Sequence, residues 1–305
     1  MNFLICICTY NRNQSLYNCL KSFEKIILLN NLKISFLILD NSINNKSFIL
    51  INKIKKNYKY KILQINEKKR GIVNARNRCL KEAKKINCDY IAFFDDDCTI
   101  DKYWFKNAFK LIDGQEAQIL TGPQIYEKVN KISSNNLNNL GEIFEKKINK
   151  KISNVNWAAS NNVLIKKKII ENEKIFFDIN LNKFGMGEDQ LFFSILKKRG
   201  YNIFWSKDLK VYEKMHEHRT NLKWMINRSF RLGVLGHYID IKLNGSLRGY
   251  FINYLKFIYY FLKSIFGFLL ISKKYYWVEF LNSISRSFGR LVGPFIFKKI
   301  KFYKK

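Results

Sequence analysis

The first 95 residues alternate between short apolar runs and segments of helical periodicity, and this alternation constrains the fold more than any other feature of the chain. Right-handed crossovers build such an order into a mostly parallel sheet that is flanked by helices. The runs are almost continuously hydrophobic, which is typical of strands buried on both faces. The pattern therefore predicts an α/β, Rossmann-like domain. Its predicted strands are Phe3 to Cys8, Ile34 to Leu39, Tyr60 to Ile65 and Tyr90 to Phe94, and its predicted helices lie around 15–30, 45–57 and 71–86.

Polar side chains follow the predicted strands where each strand ends. Residues 9–12 follow the first strand, Asp40 follows the second, and Asp95, Asp96 and Asp97 follow the fourth. Because the carboxyl ends of parallel strands meet at one edge of a sheet, ligands commonly bind there. We therefore expect one binding edge.

The three consecutive aspartates indicate a site for a divalent cation. Carboxylates this close repel one another and raise each other's pKa, so a cation such as Mg²⁺ or Mn²⁺ would keep them ionised and could bridge them to a diphosphate. On spacing alone a second interpretation stays open, in which the turn is solvated and caps a predicted helix from Asp101 to Ile112.

The turn after the first strand excludes two common nucleotide sites. Residues 9–13 contain no glycine, so neither the glycine-rich fingerprint of dinucleotide-binding domains nor a phosphate-binding P-loop is present. A nucleotide would have to be held by side chains and a cation.

Three further segments belong to this part of the chain. Lys128 to Lys151 is rich in asparagine and lysine and is predicted to be a surface insertion of the kind that gates a cleft. Trp157 to Ile165 is predicted to be an edge strand or a loop. Glu188 and Asp189 follow a glycine-bearing turn and begin a helix that ends near Arg199, where two acids suit the helix dipole.

Taken together and in order, these motifs resemble bacterial members of glycosyltransferase family 2, which have the GT-A fold. The resemblance covers roughly residues 1–235. It implies an inverting glycosyltransferase with a nucleotide-sugar donor. The motifs that carry it are Cys8 to Arg12, Leu39 to Ser42, Gly71 to Asn77, Phe94 to Asp97 and Gly187 to Asp189.

The resemblance assigns roles to individual residues. Asp189 would be the general base, with Glu188 binding the acceptor or orienting the turn; the alternative is that both acids only cap a helix. Arg76 would bind phosphate, unless it is a charge on the helix surface. The donor would be bound by Thr9, Tyr10, Asn11, Arg12, Asp40, Arg70, Arg76, Asn77, Asp95 and Asp96, and the metal ion by Asp95, Asp97 and either His216 or His218.

The function implied is metal-dependent transfer of a sugar, from a UDP-sugar by default, to a glycan or lipid-linked acceptor in surface polysaccharide synthesis. Two rival functions share these features. A sugar-phosphate nucleotidyltransferase also needs carboxylates and a metal ion, and a membrane adaptor could keep the fold without turnover.

Charge divides the chain into two predicted domains, 1–220 and 221–305. The net charge is +31, and residues 221–305 carry 16 basic and 2 acidic side chains. Such an excess favours anionic partners, but no zinc-finger, RNA-binding or basic-zipper pattern is present, so nucleic acid is not an expected partner. The six cysteines are unpaired in spacing and are predicted to be reduced, and the apolar start is too short for a secretory signal.

Residues 251–271 are mostly apolar, but in a spanning helix Lys263 would lie near the middle of the membrane at a cost of about 2.5 to 3.5 kcal/mol, and Lys256 would add to that cost. We expect instead an amphipathic helix in the membrane plane, followed by a second one entered through Tyr275, Tyr276 and Trp277. This predicts a cytoplasmic enzyme, peripheral on the inner face of the membrane. The alternative is a helical hairpin that packs on the catalytic domain or a second subunit. The predicted polar arcs are Asn253, Lys256, Tyr260, Lys263, Ser264 and Gly267, and then Glu279, Asn282, Ser283, Arg286, Arg290 and Gly293.

Overall fold

The computed structural model describes residues 1–127, 151–214, 219, 221–270 and 276–299. These residues form two compact units, one that extends to Lys214 and one that follows it. Most of the predicted insertion, 128–150, lies outside the described residues, as do His216 and His218.

The described part of the chain contains eleven strands and nine α-helices. The strands are β1 (Asn2–Thr9), β2 (Lys33–Asp40), β3 (Lys61–Asn66), β4 (Tyr90–Asp95), β5 (Cys98–Ile100), β6 (Ile119–Thr121), β7 (Gln124–Glu127), β8 (Ile152–Asn154), β9 (Asn162–Lys166), β10 (Ile203–Ser206) and β11 (Val211–Lys214). The helices are α1 (Asn13–Glu24), α2 (Lys46–Ile54), α3 (Ile72–Ala83), α4 (Trp104–Gln115), α5 (Lys167–Glu173), α6 (Glu188–Lys198), α7 (Leu222–Asn244), α8 (Ser246–Leu269) and α9 (Tyr276–Ile296).

The first unit is built on an eight-stranded sheet in the order β3-β2-β1-β4-β9-β6-β10-β8. The four strands from β3 to β4 are parallel, as is the pair β6 and β10, while β9 and β8 are antiparallel to their neighbours. The predicted α/β fold with a mostly parallel sheet is thus confirmed. A second sheet of three short strands has the order β5-β11-β7.

The sheet is buried on both faces, as its continuous hydrophobicity predicts. Along β1, Phe3, Ile5 and Ile7 belong to the hydrophobic cluster on one face, whereas Leu4 and Cys6 belong to the cluster on the other. Helix α1 adds its apolar stripe to the first cluster, because residues three and four apart share one face of a helix. The buried members of that stripe are Leu16, Cys19, Leu20 and Phe23. All six cysteines are free.

Two local predictions need correction. The segment predicted as an edge strand or loop, Trp157 to Ile165, contributes β9, which lies between β4 and β6 inside the sheet. Its near-continuous apolar run fits that buried place. The helix predicted from Asp101 begins instead at Trp104, since the chain first forms β5, which pairs with β11.

The second unit consists of α7, α8 and α9 packed against one another. Both predicted amphipathic helices are present, as α8 and α9. In the described part of the chain, no helix is both long enough and apolar enough to cross a membrane.

Candidate active site

Strand register brings the predicted site residues to one edge of the sheet. Thr9, the last residue of β1, pairs with Asp40, the last residue of β2. On the other side of β1, Cys8 pairs with Asp95, the last residue of β4. The strand ends that the sequence predicts to be functional therefore meet.

The acidic turn after β4 is anchored to the loop after β1. Asp96 is buried, and its carboxylate accepts hydrogen bonds from Thr9 Oγ1 at 2.7 Å and from Arg12 Nη1 at 3.1 Å. Arg12 Nη1 also lies 2.7 Å from Asp97 Oδ2. Burial raises the pKa of Asp96 to about 7, although Arg12 and Thr9 lower it. Asp96 thus ties the turn to β1, and Asp95 and Asp97 flank it.

Arg76 joins this turn to the second acidic motif. Its guanidinium is buried, with Nη2 at 3.1 Å from Asp95 Oδ1 and Nη1 paired with Glu188 Oε1. Burial alone would lower the pKa of Arg76, but the carboxylates of Glu188 and Asp95 raise it above its ordinary value. The interpretation of Arg76 as a charge on the helix surface is therefore wrong.

Glu188 is the more enclosed of the two acids that begin α6. It is 3% exposed, and burial raises its pKa to about 7 despite the ion pair with Arg76. Its second oxygen, Oε2, is buried without a hydrogen-bond partner. Such an orphaned acceptor is costly unless a cation or a proton satisfies it.

Asp189 occupies the next position and is more accessible. It follows Gly187, whose φ of +86° is in the left-handed region that favours glycine, and it lies in the first turn of α6. Its Oδ2 accepts a hydrogen bond of 3.4 Å from the backbone N–H of Ser160. The side chain is half-buried, so an incoming group can reach it.

The charges of this cluster favour a divalent cation. Five carboxylates, at residues 95–97 and 188–189, lie near the guanidiniums of Arg12 and Arg76, which leaves negative charge uncompensated. Carboxylate oxygens are the ligands that Mg²⁺ and Mn²⁺ prefer. The buried Glu188 Oε2, which has no hydrogen-bond partner, also favours a positive charge nearby. The residues present thus fit a hard cation held by Asp95 and Asp97.

One further group of potential ligands adjoins this turn. Single ligand atoms of Asp97, Cys98 and Glu213 all lie within 4.8 Å of one another. Burial raises the pKa of the Cys98 thiol well above its ordinary value, which favours the protonated thiol when no cation is bound. Glu213 accepts a hydrogen bond from Gln124. Sequence reasoning missed Glu213, which belongs to a short strand with no recognisable motif.

Both carboxylate oxygens of Asp40 accept hydrogen bonds from within the protein. It is 1% exposed; its Oδ1 accepts from Ser42 N at 2.7 Å, and its Oδ2 accepts from Ser47 Oγ at 2.5 Å and Ser47 N at 3.2 Å. These bonds brace the loop between β2 and α2. The adjacent Asn41 donates to the carbonyls of Glu67 and Lys69 and accepts from Gly71 N, which braces the loop before α3.

The other predicted donor-binding residues fall into two groups. Tyr10, Asn11, Arg12 and Arg70 are exposed, and the guanidinium of Arg70 lies 5.9 Å from the centre of the Tyr10 ring. Asn77 lies apart from them, because its side-chain amide both donates to and accepts from the backbone of Phe177. The structure therefore does not bring Asn77 to the binding edge.

Comparison with known proteins supplies the family. The family model described as glycosyl transferase family 2 matches residues 4–172, which is more than half of the chain. The succinoglycan biosynthesis protein ExoM of Rhizobium meliloti (strain 1021) is 24% identical over 231 residues, which cover 74% of this chain and 71% of that protein.

Solved structures of TarS from S. aureus share the fold. TarS 1-349 in complex with UDP superposes with a TM-score of 0.54 at 16% identity, covering 100% of this chain and 93% of that one. The complex with UDP-GlcNAc gives a TM-score of 0.52 and covers the same fractions of the two chains. Of a longer TarS structure, this chain spans 44%. The family match and the shared fold agree with the motifs at the sheet edge, and we conclude that the chain belongs to glycosyltransferase family 2.

Proposed function

We propose that this protein transfers a sugar from a nucleoside-diphosphate sugar to a hydroxyl group of a glycan or lipid-linked acceptor, with inversion at the anomeric carbon. The observation that carries the proposal is the contact of Arg76 with both Asp95 and Glu188. This contact places the end of β4, which is suited to a donor's diphosphate, beside the start of α6, which is suited to activating an acceptor. Both are needed at one site for an in-line displacement.

Asp189 would act as the general base. Its half-buried carboxylate can take the proton of an acceptor hydroxyl as that oxygen attacks the anomeric carbon from the face opposite the diphosphate. Glu188 cannot take this role in the same way, because it is buried and paired with Arg76. Glu188 would instead hold the turn that presents Asp189.

The donor's diphosphate would lie against Asp95 and Asp97 through Mg²⁺ or Mn²⁺, which when bound neutralises the negative charge of the departing nucleotide. His216 stays a candidate further ligand. Arg12 and Arg70, on the exposed rim, offer guanidiniums to phosphate or ribose oxygens.

UDP is the nucleotide we propose. TarS, which shares the fold, has been crystallised with UDP and UDP-GlcNAc. Tyr10 and Asn11 begin the loop after β1 and would contact the nucleoside, while Thr9, the last residue of β1, would hold the acidic turn through Asp96. Asp40 would act mainly by shaping that side of the site, because both its oxygens already accept hydrogen bonds within the protein.

The biological role we propose is synthesis of a surface polysaccharide, supported by the likeness to a succinoglycan biosynthesis protein. Residues 1–220 would form the catalytic domain. Residues 221–305, which are strongly basic, would hold it on the cytoplasmic face of an anionic membrane, where a lipid-linked acceptor would be presented.

A thermal-shift titration with nucleoside diphosphates, with and without Mn²⁺, tests the donor site. We expect UDP to stabilise the protein and Mn²⁺ to increase the shift. Release of UDP from UDP-sugars in the presence of glycan acceptors then tests transfer. Turnover of nucleoside triphosphate with sugar phosphate would instead identify a nucleotidyltransferase, and binding without any turnover would identify a non-catalytic adaptor.

A further inference from the structure

Helix α8 has its polarity inverted relative to a helix on a water-soluble protein. Its buried positions are Gly249, Asn253, Ser264 and Gly267, and the last three belong to the predicted polar arc. Side chains on the opposite face are large, apolar and exposed. The polar arc thus faces α7 and α9, whereas an ordinary amphipathic helix would turn it to water.

The buried side of α8 is held by a polar network. Arg290 of α9 pairs with Asp240 of α7 at 2.7 Å, and both side chains are only 4% exposed. Arg290 Nη1 also donates to Asn253 Oδ1 at 3.0 Å, while Asn253 Nδ2 donates to the Arg290 carbonyl at 3.2 Å. Lys256 of α8 reaches Asp240 Oδ1 at 2.5 Å. Lys256, one of the two lysines that argue against a membrane-spanning helix, therefore forms an ion pair with a neighbouring helix.

The outer side of α8 presents a continuous apolar face, which we name the α8 face. Its side chains are between 43% and 89% exposed. A surface of this size on a monomer marks an interaction site. The α8 face consists of Leu247, Tyr250, Phe251, Tyr254, Leu255, Tyr259, Phe261, Leu262, Ile265, Phe266, Phe268 and Leu269.

The backbones of helices α7 and α9 approach each other closely at glycines. A Cβ placed on Gly233 of α7 would lie 2.3 Å from the backbone oxygen of Arg286, and one on Gly289 of α9 would lie 2.2 Å from that of Phe230. Gly289 and Gly293 are four residues apart, the small-residue spacing that lets backbones approach in membranes. Small residues thus line the contact between α7 and α9, while the outer side of α8 is apolar.

The charge of the same unit identifies the partner. Its two acidic side chains are both neutralised, Asp240 by Arg290 and Lys256, and Glu279 by Lys263 at 2.5 Å. The sixteen basic residues of 221–305 therefore leave a large positive excess. A second copy of this unit would carry the same charge and repel it, whereas an anionic lipid surface attracts it.

We propose that the α8 face inserts into the headgroup and acyl boundary of an anionic bilayer, with the polar network turned away from lipid toward α7 and α9. The proposal rests on the proposed membrane role of the second unit and adds the surface that enters the lipid. Tyr250, Tyr254 and Tyr259 have the apolar ring and polar tip that suit this boundary.

Sedimentation of the full-length protein with vesicles tests the proposal. We expect binding to vesicles of phosphatidylcholine mixed with phosphatidylglycerol, and weaker binding to phosphatidylcholine alone. Leu262→Glu, at an exposed site of the α8 face, should lower the partition coefficient about tenfold, since a leucine that would enter the lipid is replaced by a charge. Phe266→Glu should do the same.

The matched control is Ile49→Glu, on α2 of the first unit, where the side chain is 62% exposed compared with 58% for Leu262. It should bind vesicles like the wild type.

Equal vesicle binding by Leu262→Glu and wild type would overturn the proposal. So would a wild-type dimer that Leu262→Glu makes monomeric, because a second copy would then cover the face. Stabilisation of each variant by UDP and Mn²⁺, measured without vesicles, reports on the donor site separately.

Discussion

The guanidinium of Arg76 and the carboxylate of Glu188 form a buried ion pair across 112 residues of chain. Because Arg76 also contacts Asp95, one side chain links the tip of β4 to the first turn of α6. The distance between the two acidic motifs is therefore set within the protein and does not depend on a substrate to bring them together.

Arg76→Gln should lower the free energy of unfolding by about 3 to 5 kcal/mol, because the buried carboxylate of Glu188 loses its partner. The second substitution Glu188→Gln should restore part of the loss. Arg78→Gln is the control on the same helix: its pair with Glu82 is partly exposed and should contribute less than about 1 kcal/mol. Urea unfolding measures both, and equal losses would contradict the buried pairing.

Asp189→Asn should reduce sugar transfer about 10²- to 10⁴-fold while leaving the affinity for UDP unchanged, since the amide cannot accept the acceptor's proton. Steady-state transfer and calorimetric UDP binding measure the two effects. Asp113→Asn, on the exposed side of α4, serves as the control and should transfer normally. Transfer at the wild-type rate in Asp189→Asn would reject Asp189 as the base.

Asp97→Ala should abolish the part of the UDP-induced thermal shift that depends on Mn²⁺. The shift measured in chelator should change little, because contacts to the nucleoside do not involve Asp97. Asp208→Ala removes a partly exposed carboxylate elsewhere in the first unit and should keep the full Mn²⁺ response. An unchanged Mn²⁺ effect in Asp97→Ala would place the cation elsewhere.

His237 should make the second unit less stable in mild acid. Burial first, and then the charge of Arg290, lowers the pKa of His237 below its ordinary value of 6.5, although Asp240 opposes this. The unfolded chain therefore binds a proton that the folded chain does not, and stability falls as the pH drops below about 6.5. Thermal unfolding of the wild type between pH 7.5 and 5 should show this loss, and His237→Gln should reduce it. A pH dependence identical in both proteins would exclude His237 as its source.

Strand positions and the binding edge could be predicted because they depend on local patterns. Continuous apolar runs predict buried parallel strands, and right-handed crossovers place Thr9, Asp40 and Asp95 at one edge. The place of β9 could not be predicted in this way, since pairing between β4 and β6 joins segments distant in sequence. A run of apolar residues predicts a buried strand but does not determine which strands pair with it.

The ion-pair partner of Arg76 could not be predicted for a similar reason, although the sequence does indicate that Arg76 needs one. Arg76 lies on the same face of α3 as Val73, Cys79 and Leu80, which are all buried. An arginine in a buried apolar stripe needs an acidic partner, and that rule alone predicts an ion pair. It does not predict that the partner is Glu188, which comes from a helix more than a hundred residues later.

The hydrogen bond from Thr9 to Asp96 depends on β1 ending in register with its neighbours. If β1 slipped by one residue, every side chain along it would change faces, and the hydroxyl of Thr9 would point away from Asp96. Replacements in the middle of β1, such as at Ile5, could thus impair turnover without touching a substrate. Loss-of-function substitutions in this enzyme should accordingly be sought in the strand interior as well as along its rim.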